Sequence, residues 1–125
     1  MIQYNGLTLA YIGDAYYELK IREYLLLKNV TKVNALHQNA IKFTSAINQA
    51  KAVTYLIDNF YTEKELSIFK RGRNQSATHK PKNTDVQTYN KSTGFEAVIG
   101  YLYLANDSTR LNELINYTIE ILEKF

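Results

Sequence analysis

Apolar residues recur at intervals of three and four along almost the whole chain, the spacing that places them on one face of a helix. Strict alternation of apolar and polar residues, which is typical of strands, is scarce, and the chain holds only five glycines and one proline. The pattern therefore predicts an all-α protein of about six or seven helices. The periodic segments are residues 7–27, 33–44, 45–60, 62–71, 92–105 and 109–124.

Two kinds of local signal divide the second half of the chain. Thr62 and Glu65 have the spacing of a capping box, in which the two side chains satisfy the first free amides of a helix. We expect the fourth helix to begin there and Gly72 to end it. From Arg73 to Lys91 the helical period disappears. Connections beyond about 12 to 15 residues without regular structure are usually functional or disordered, so we expect this segment to serve the function.

The apolar stripes also predict which side chains face the core. The eleven tyrosines mostly occupy core spacing, so we favour packing over base stacking for them, with Tyr89 in the aperiodic segment as the exception. The other inward positions are Ala35, Leu36, Ala40 and Phe43 in the second helix, Ala46, Ala50, Val53, Leu56 and Ile57 in the third, and Leu111, Leu114, Ile115, Ile119 and Leu122 in the last.

The two most continuously apolar stretches, residues 7–27 and 94–104, each contain a carboxylate that breaks the pattern. The first stretch is apolar nearly all round its helix, which places it at the centre of the fold. Asp14 lies in the first stretch and Glu96 in the second. An ionised carboxylate in apolar surroundings needs a cation, a partner or a proton. Our hypothesis is that the two helices pack together and that both carboxylates hold one divalent metal ion.

Glycines lie close to both carboxylates. Gly13 and Gly100 would let two helix backbones approach each other, although a helical glycine costs about 1 kcal/mol relative to alanine. Magnesium takes oxygen ligands, and one or two carboxylates with water and phosphate oxygens suffice for it. Such a site suits phosphodiester hydrolysis. The simpler interpretation is that the glycines only relieve packing and that the carboxylates pair with basic side chains.

Composition limits the other possibilities. A chain of 125 residues corresponds to one domain, residues 1–125. It has no cysteine, no run of about 20 apolar residues and no signal-peptide pattern, so we expect a cytoplasmic protein without a membrane span. Neither a Gly-x-Ser-x-Gly nor a His-Glu-x-x-His motif occurs.

Positive charge is concentrated in one part of the chain. The formal net charge is only +3, but residues 70–91 carry six Lys or Arg against Asp85 alone. A local basic patch suits a phosphate backbone, and the alternative is a solvated loop. The candidate RNA-binding residues are Lys70, Arg71, Arg73, Asn74, His79, Lys80 and Lys82.

Four ordered segments resemble the ribonuclease III family, and in particular its short bacterial Mini-III branch. They are residues 10–15 (AYIGDA), 70–74 (KRGRN), 81–89 (PKNTDVQTY) and 92–97 (STGFEA). The resemblance covers about residues 5 to 122. It implies an all-helical, homodimeric endonuclease domain that cuts double-stranded RNA with Mg²⁺, for which Mn²⁺ can substitute. It also implies that no separate double-stranded-RNA-binding domain is present and that the substrate is a precursor of large-subunit ribosomal RNA.

Carried over by position, Asp14 matches the family's signature aspartate and Glu96 its metal-binding glutamate. Two further acidic positions of the wider family are Ala10 and Thr93 in this chain, so four carboxylate ligands become two, and water or the Thr93 hydroxyl must fill the gaps. The resemblance also implies that the signature helix contributes to the dimer interface. A non-catalytic RNA-binding helical module is the alternative interpretation, and a structural dimeric adaptor is a third.

Overall fold

A computed structural model of the chain describes residues 3–76 and 85–125, which form six helices and no strand. The all-α prediction is confirmed. The helices are α1 (Gly6–Leu27), α2 (Val33–Thr44), α3 (Ala46–Asn59), α4 (Glu63–Gln75), α5 (Val86–Leu104) and α6 (Ser108–Glu123). No helix in the described ranges is long and apolar enough to cross a membrane.

Helix α5 lies at the centre, and α1, α3, α4 and α6 pack around it. Its inner side chains Phe95, Val98 and Ile99 are fully buried. On α1, Tyr17 is 1% exposed; its ring packs edge-on against Phe95 with 5.0 Å between centroids, and its hydroxyl donates to the Phe43 carbonyl of α2 at 2.8 Å. The first apolar helix was predicted to lie at the centre of the fold, and this is wrong because one side of α1 is exposed, with Tyr11 82% and Leu19 52% exposed. The core forms where the other side of α1 meets α5, and each large side chain buried there stabilises the fold by about 1.5–3 kcal/mol.

The outer helices follow most of the predicted stripes. All five inward positions of α6 are buried, as are Phe43, Val53 and Leu56, whereas the predicted alanines of α2 and α3 and Leu36 are half-buried. Ile57 was predicted to face inward, and this is wrong because it is 39% exposed. The inward stripe of α3 runs through Gln49, Ala52, Val53 and Leu56, which leaves the next residue on the outer side.

The start of α4 is as predicted, but its end is not. The Thr62 hydroxyl accepts from the Glu65 amide at 3.1 Å, and the Glu65 carboxylate accepts from the Thr62 amide at 2.9 Å, which confirms the capping box. Gly72 does not end the helix, which continues to Gln75. A Cβ at Gly72 would lie 3.1 Å from the Gly94 Cα, so the glycine serves close packing of α4 on α5. That packing offsets the cost of about 1 kcal/mol for a helical glycine.

Helix α5 begins earlier than the periodicity predicts. Asp85 caps it by accepting from the Thr88 amide at 2.9 Å, so residues 86–91 are helical, and Tyr89 belongs to α5 rather than to a loop. These hydrogen bonds hold the pKa of the Asp85 carboxyl below its usual value. The predicted aperiodic segment is therefore shortened at both ends. The centre of it, with His79, Lys80 and Lys82, lies outside the described residues.

An ion pair joins the beginnings of α4 and α6. Arg110 donates to both oxygens of the Glu65 carboxylate and to the Phe60 carbonyl, each at 2.7 Å. Its guanidinium also lies 3.8 Å from the centroid of the Phe60 ring. Burial by itself would raise the pKa of Glu65, but the hydrogen bonds from Arg110 and Thr62 outweigh it and lower that pKa. The charged form is the one that the fold requires.

The tyrosines divide between packing and exposure. Tyr17 is buried, and a further five tyrosines pack against the core: Tyr16, Tyr24, Tyr61, Tyr101 and Tyr117. Four more are exposed, namely Tyr4, Tyr11, Tyr55 and Tyr103. The prediction that most tyrosines serve the core therefore holds for six of the eleven.

Candidate active site

Helices α1 and α5 cross with their backbones in contact. A Cβ built on Gly13 would overlap the Glu96 carbonyl and lie 2.7 Å from the Gly100 nitrogen. A Cβ on Gly100 would overlap the Leu9 carbonyl. No larger residue fits at either position without moving a helix, so the prediction that these glycines permit a close approach is confirmed.

The crossing brings the two predicted carboxylates together. Asp14 follows Gly13, which lies against the Glu96 backbone, and the Asp14 carboxylate is close enough to that of Glu96 on α5 to raise the pKa of Glu96. Glu96 is half-buried between the fully buried Phe95 and Ala97. Asp14 was predicted to lie in apolar surroundings, and this is wrong because the residue is exposed. It sits one position beyond the buried stripe of α1 and therefore forms the rim of the site, open to solvent.

The environment of Glu96 favours its protonated form. Burial and, next in importance, the charge of Asp14 and the hydrogen bond to it raise the pKa of Glu96 to about 9, against an opposing hydrogen bond from Gln49. Two carboxylates this close cannot both ionise easily, so Glu96 keeps its proton at neutral pH. A divalent cation would take the place of that proton, because its charge favours both ionised forms. The residues present therefore fit such an ion.

The ligand set that the protein offers is small. Among residues 3–76 and 85–125 no group of three or more His, Cys, Asp or Glu residues could hold a metal. Ala10 is buried, and the buried Thr93 donates its hydroxyl to the Tyr89 carbonyl at 3.1 Å. Two carboxylates with water and substrate oxygens match the coordination preference of Mg²⁺, which is seldom bound by protein ligands alone.

The predicted basic residues on α4 differ in how many contacts they make within the protein. Lys70 is exposed, whereas Arg71 donates from Nη2 to the Tyr4 carbonyl at 2.5 Å. Arg73 donates to the Asn74 side chain at 3.2 Å, and its guanidinium lies 5.8 Å from the Phe69 ring centroid. The basic end of α4 is thus partly held by the protein itself.

A cleft lies between the end of α4 and the first turns of α5. Arg73 and Asn74 line one side of it, and three residues that the sequence did not single out, Gln87, Asn90 and Lys91, line the other. Helix α5 carries Glu96 a little over one turn beyond Lys91. The cleft therefore connects the basic residues with the helix of the carboxylate pair.

Gln49 is a further polar residue near the site that the sequence did not single out. It is 1% exposed on the inward face of α3, and its amide opposes the rise in the pKa of Glu96. The signal was present, since a polar residue four positions before Val53 and seven before Leu56 falls on the inward stripe.

Comparison with known proteins relates the chain to one family. A Ribonuclease III domain model matches residues 7–107. A Mini-ribonuclease 3 of Streptococcus pneumoniae is 48% identical over 120 residues, covering 95% of this chain and 94% of the relative. One of Staphylococcus aureus is 48% identical over 121 residues, covering 96% and 90%. A crystal structure of a Fusobacterium nucleatum protein aligns with a TM-score of 0.83 at 30% identity, covering 94% and 93%.

These relatives match the fold and nearly the full length of the chain. They favour the enzyme over the non-catalytic module and the adaptor. The chain belongs to the ribonuclease III family, resembles the Mini-ribonuclease 3 proteins from end to end, and is an endoribonuclease, a hydrolase that cuts RNA internally.

Proposed function

We propose that this endoribonuclease cleaves double-stranded RNA with a divalent cation, Mg²⁺ or in its place Mn²⁺, held by Asp14 and Glu96. The observation that carries the proposal is the contact between these two side chains across the α1–α5 crossing, with one carboxylate half-buried and the other open to solvent. A cation there is enclosed on the protein side and accessible to a phosphate from outside.

The chemistry divides between the ion and the chain. When bound, the cation activates water and neutralises charge that develops on the phosphodiester. Glu96, fixed in the core helix, defines the position of the site, while Asp14 at the rim completes it. No side-chain nucleophile is needed, which suits a chain without cysteine.

The duplex is held by the basic surface at the end of α4. Lys70, Arg71, Arg73 and Asn74 supply charge and hydrogen-bond donors for phosphates, joined by Lys91 across the cleft. We include His79, Lys80 and Lys82 in this surface on the sequence alone. Such contacts position a duplex without reading its sequence, as is usual for double-stranded RNA.

We also propose that the enzyme works as a homodimer. Large apolar side chains on one part of α1 and α2 are exposed in the single chain, and Leu26 and Val33 line a groove there with Leu36, His37 and Ala40. A two-fold axis along this surface would place one cleavage centre on each RNA strand. On the resemblance of the four motifs we propose a precursor of large-subunit ribosomal RNA as substrate, in the cytoplasm.

The test is a cleavage assay with matched variants. End-labelled duplex RNA is incubated with the protein in Mg²⁺ and in a chelator, beside the corresponding single strand. We expect internal cuts in the duplex with Mg²⁺ only. Asp14→Asn should abolish cleavage and keep the helical circular dichroism spectrum, whereas Asp58→Asn, an exposed aspartate on α3, should cut like the wild type. An Asp14→Asn protein that cuts duplex RNA at the normal rate would refute the proposal.

A further inference from the structure

Gln49 combines three properties that a packing residue does not need. Its side chain is 1% exposed, its Nε2 donates to the Thr44 carbonyl at the end of α2 at 3.3 Å, and its amide lies close enough to the Glu96 carboxyl group to lower the pKa of that group. Its Oε1 has no hydrogen-bond partner among the described residues. The neighbouring inward positions of α3 are Ala52, Val53 and Leu56.

Burying a polar amide with an unsatisfied acceptor destabilises a fold, and an apolar side chain of similar length would avoid that cost. The hydrogen bond to Thr44 gives the donor a structural role, but packing among the described residues does not explain the buried acceptor at position 49. The amide nitrogen carries two hydrogens, which match the two acceptors around it, the Thr44 carbonyl and the Glu96 carboxylate. The side chain thus connects a fixed point of the backbone, where α2 ends, to the enclosed carboxylate of the site.

We propose that Gln49 is a positioning residue that holds the Glu96 carboxylate in the orientation required to bind the cation. Ligating carboxylates are commonly oriented by hydrogen bonds from residues that do not touch the ion. The support matters more here than in a site with four carboxylates, because Ala10 and Thr93 leave only Asp14 and Glu96 as acidic ligands. This inference rests on the proposed cation site.

The role predicts a separation between stability and ion binding. Gln49→Met keeps the length of the side chain and removes both the donor and the unsatisfied acceptor. We expect the metal-free variant to unfold at about the same temperature as the wild type, because removal of the unsatisfied acceptor offsets the loss of the hydrogen bond to Thr44. Its affinity for Mn²⁺, measured without RNA from the electron paramagnetic resonance signal of free Mn²⁺, should fall about 10- to 100-fold.

Asn48→Leu is the matched control. Asn48 is the adjacent amide on α3, and its side chain donates to the Ile41 carbonyl at 3.5 Å rather than to Glu96. We expect its Mn²⁺ affinity to stay within about twofold of the wild type. Equal Mn²⁺ affinity in Gln49→Met and the wild type would overturn the proposal.

A second measurement does not depend on the variant. In the ¹⁵N-labelled wild type, the Gln49 side-chain amide resonances should shift on addition of Mg²⁺, while those of Asn48 should not. Unmoved Gln49 resonances at saturating Mg²⁺ would refute the positioning role. Failure of the proposed cation site would be visible in the wild type alone, as absence of Mn²⁺ binding, whereas failure of the Gln49 role appears only in these comparisons.

Discussion

The Gly100 nitrogen lies 2.7 Å from the point where residue 13 would carry a Cβ, so the two glycines permit a contact between helix backbones that no other residue allows. This contact sets the distance between the next residue on α1, Asp14, and the Glu96 side chain on α5. The geometry of the carboxylate pair is therefore fixed by atoms that the site never uses chemically.

Gly13→Ala should destabilise the protein by about 3 kcal/mol or more, because the added methyl meets backbone that cannot rotate away. Urea unfolding measures the change. Ala15→Gly, at an exposed position of the same helix, measures the difference in helix propensity between alanine and glycine. It should lower the stability by about 1 kcal/mol. A Gly13→Ala protein as stable as the wild type would show that the helices do not cross as described.

Glu96 gives stability a predictable pH dependence in the metal-free protein. The carboxyl has a pKa of about 9 in the folded chain against an ordinary value of 4.5, so between these values the folded state binds more protons than the unfolded state. The contribution of this group to the free energy of unfolding is therefore at its maximum below about pH 4.5, and it decreases as the pH rises towards 9.

The Glu96→Gln variant should not lose stability in this way at high pH, because the glutamine side chain stays neutral. Urea unfolding in a chelator should show the variant more stable than the wild type at about pH 8.5, and the difference should vanish at about pH 4. Asp14→Asn should also stabilise at the higher pH, because it removes the charge that faces Glu96. A difference independent of pH would contradict the raised pKa.

The basic end of α4 should determine how RNA binding depends on salt. We expect Lys70→Ala with Arg73→Ala to weaken duplex binding and to reduce the slope of log affinity against log salt by about 1 for each phosphate that these side chains neutralise. Arg71→Ala should weaken binding too, but it also releases the Tyr4 carbonyl and tests two effects at once. Lys51→Ala, an exposed lysine on α3, is the control. An unchanged salt slope in the double variant would show that this surface does not touch RNA.

The proposed dimer makes a prediction about the α1–α2 surface. Leu26→Asp should produce a monomer in sedimentation velocity, whereas the wild type should sediment at twice the chain mass of 14.5 kDa. Ile47→Asp, an equally exposed apolar position on α3, should leave the dimer intact. A wild type that remains monomeric at high concentration would refute the interface.

Periodicity alone recovered the helices wherever one face is apolar, including α2, whose bounds agree with the prediction. It failed at Gly72 and at residues 86–91 for physical reasons. A glycine inside a helix is indistinguishable from a helix end until its neighbour, here Gly94 on α5, is known. The polar first turns of α5 carry no apolar stripe, and only the Asp85 cap marks their beginning.

The carboxylate pair could be predicted because an acidic residue in an apolar helix is unusual, and one shared cation would satisfy both of them. That Asp14 lies at the rim could not, since a shift of one residue along a helix moves a side chain by about 100° around its axis. The position of Gln49 at the site could not be predicted for a different reason. An uncharged amide on an apolar stripe stands out less than a charge, and its partners Thr44 and Glu96 lie on other helices.

Ser76 donates from its hydroxyl to the Asn90 side chain at 2.6 Å, which joins the residue that follows α4 to the second turn of α5. The two helices that flank residues 77–84 are consequently clasped to each other, whatever peptide connects them. Doubling the length of a peptide between two such fixed ends costs only about 0.6 kcal/mol in closure entropy. In the proposed enzyme, a longer or differently charged peptide at this place would therefore alter the surface offered to RNA and leave Asp14 and Glu96 where they are.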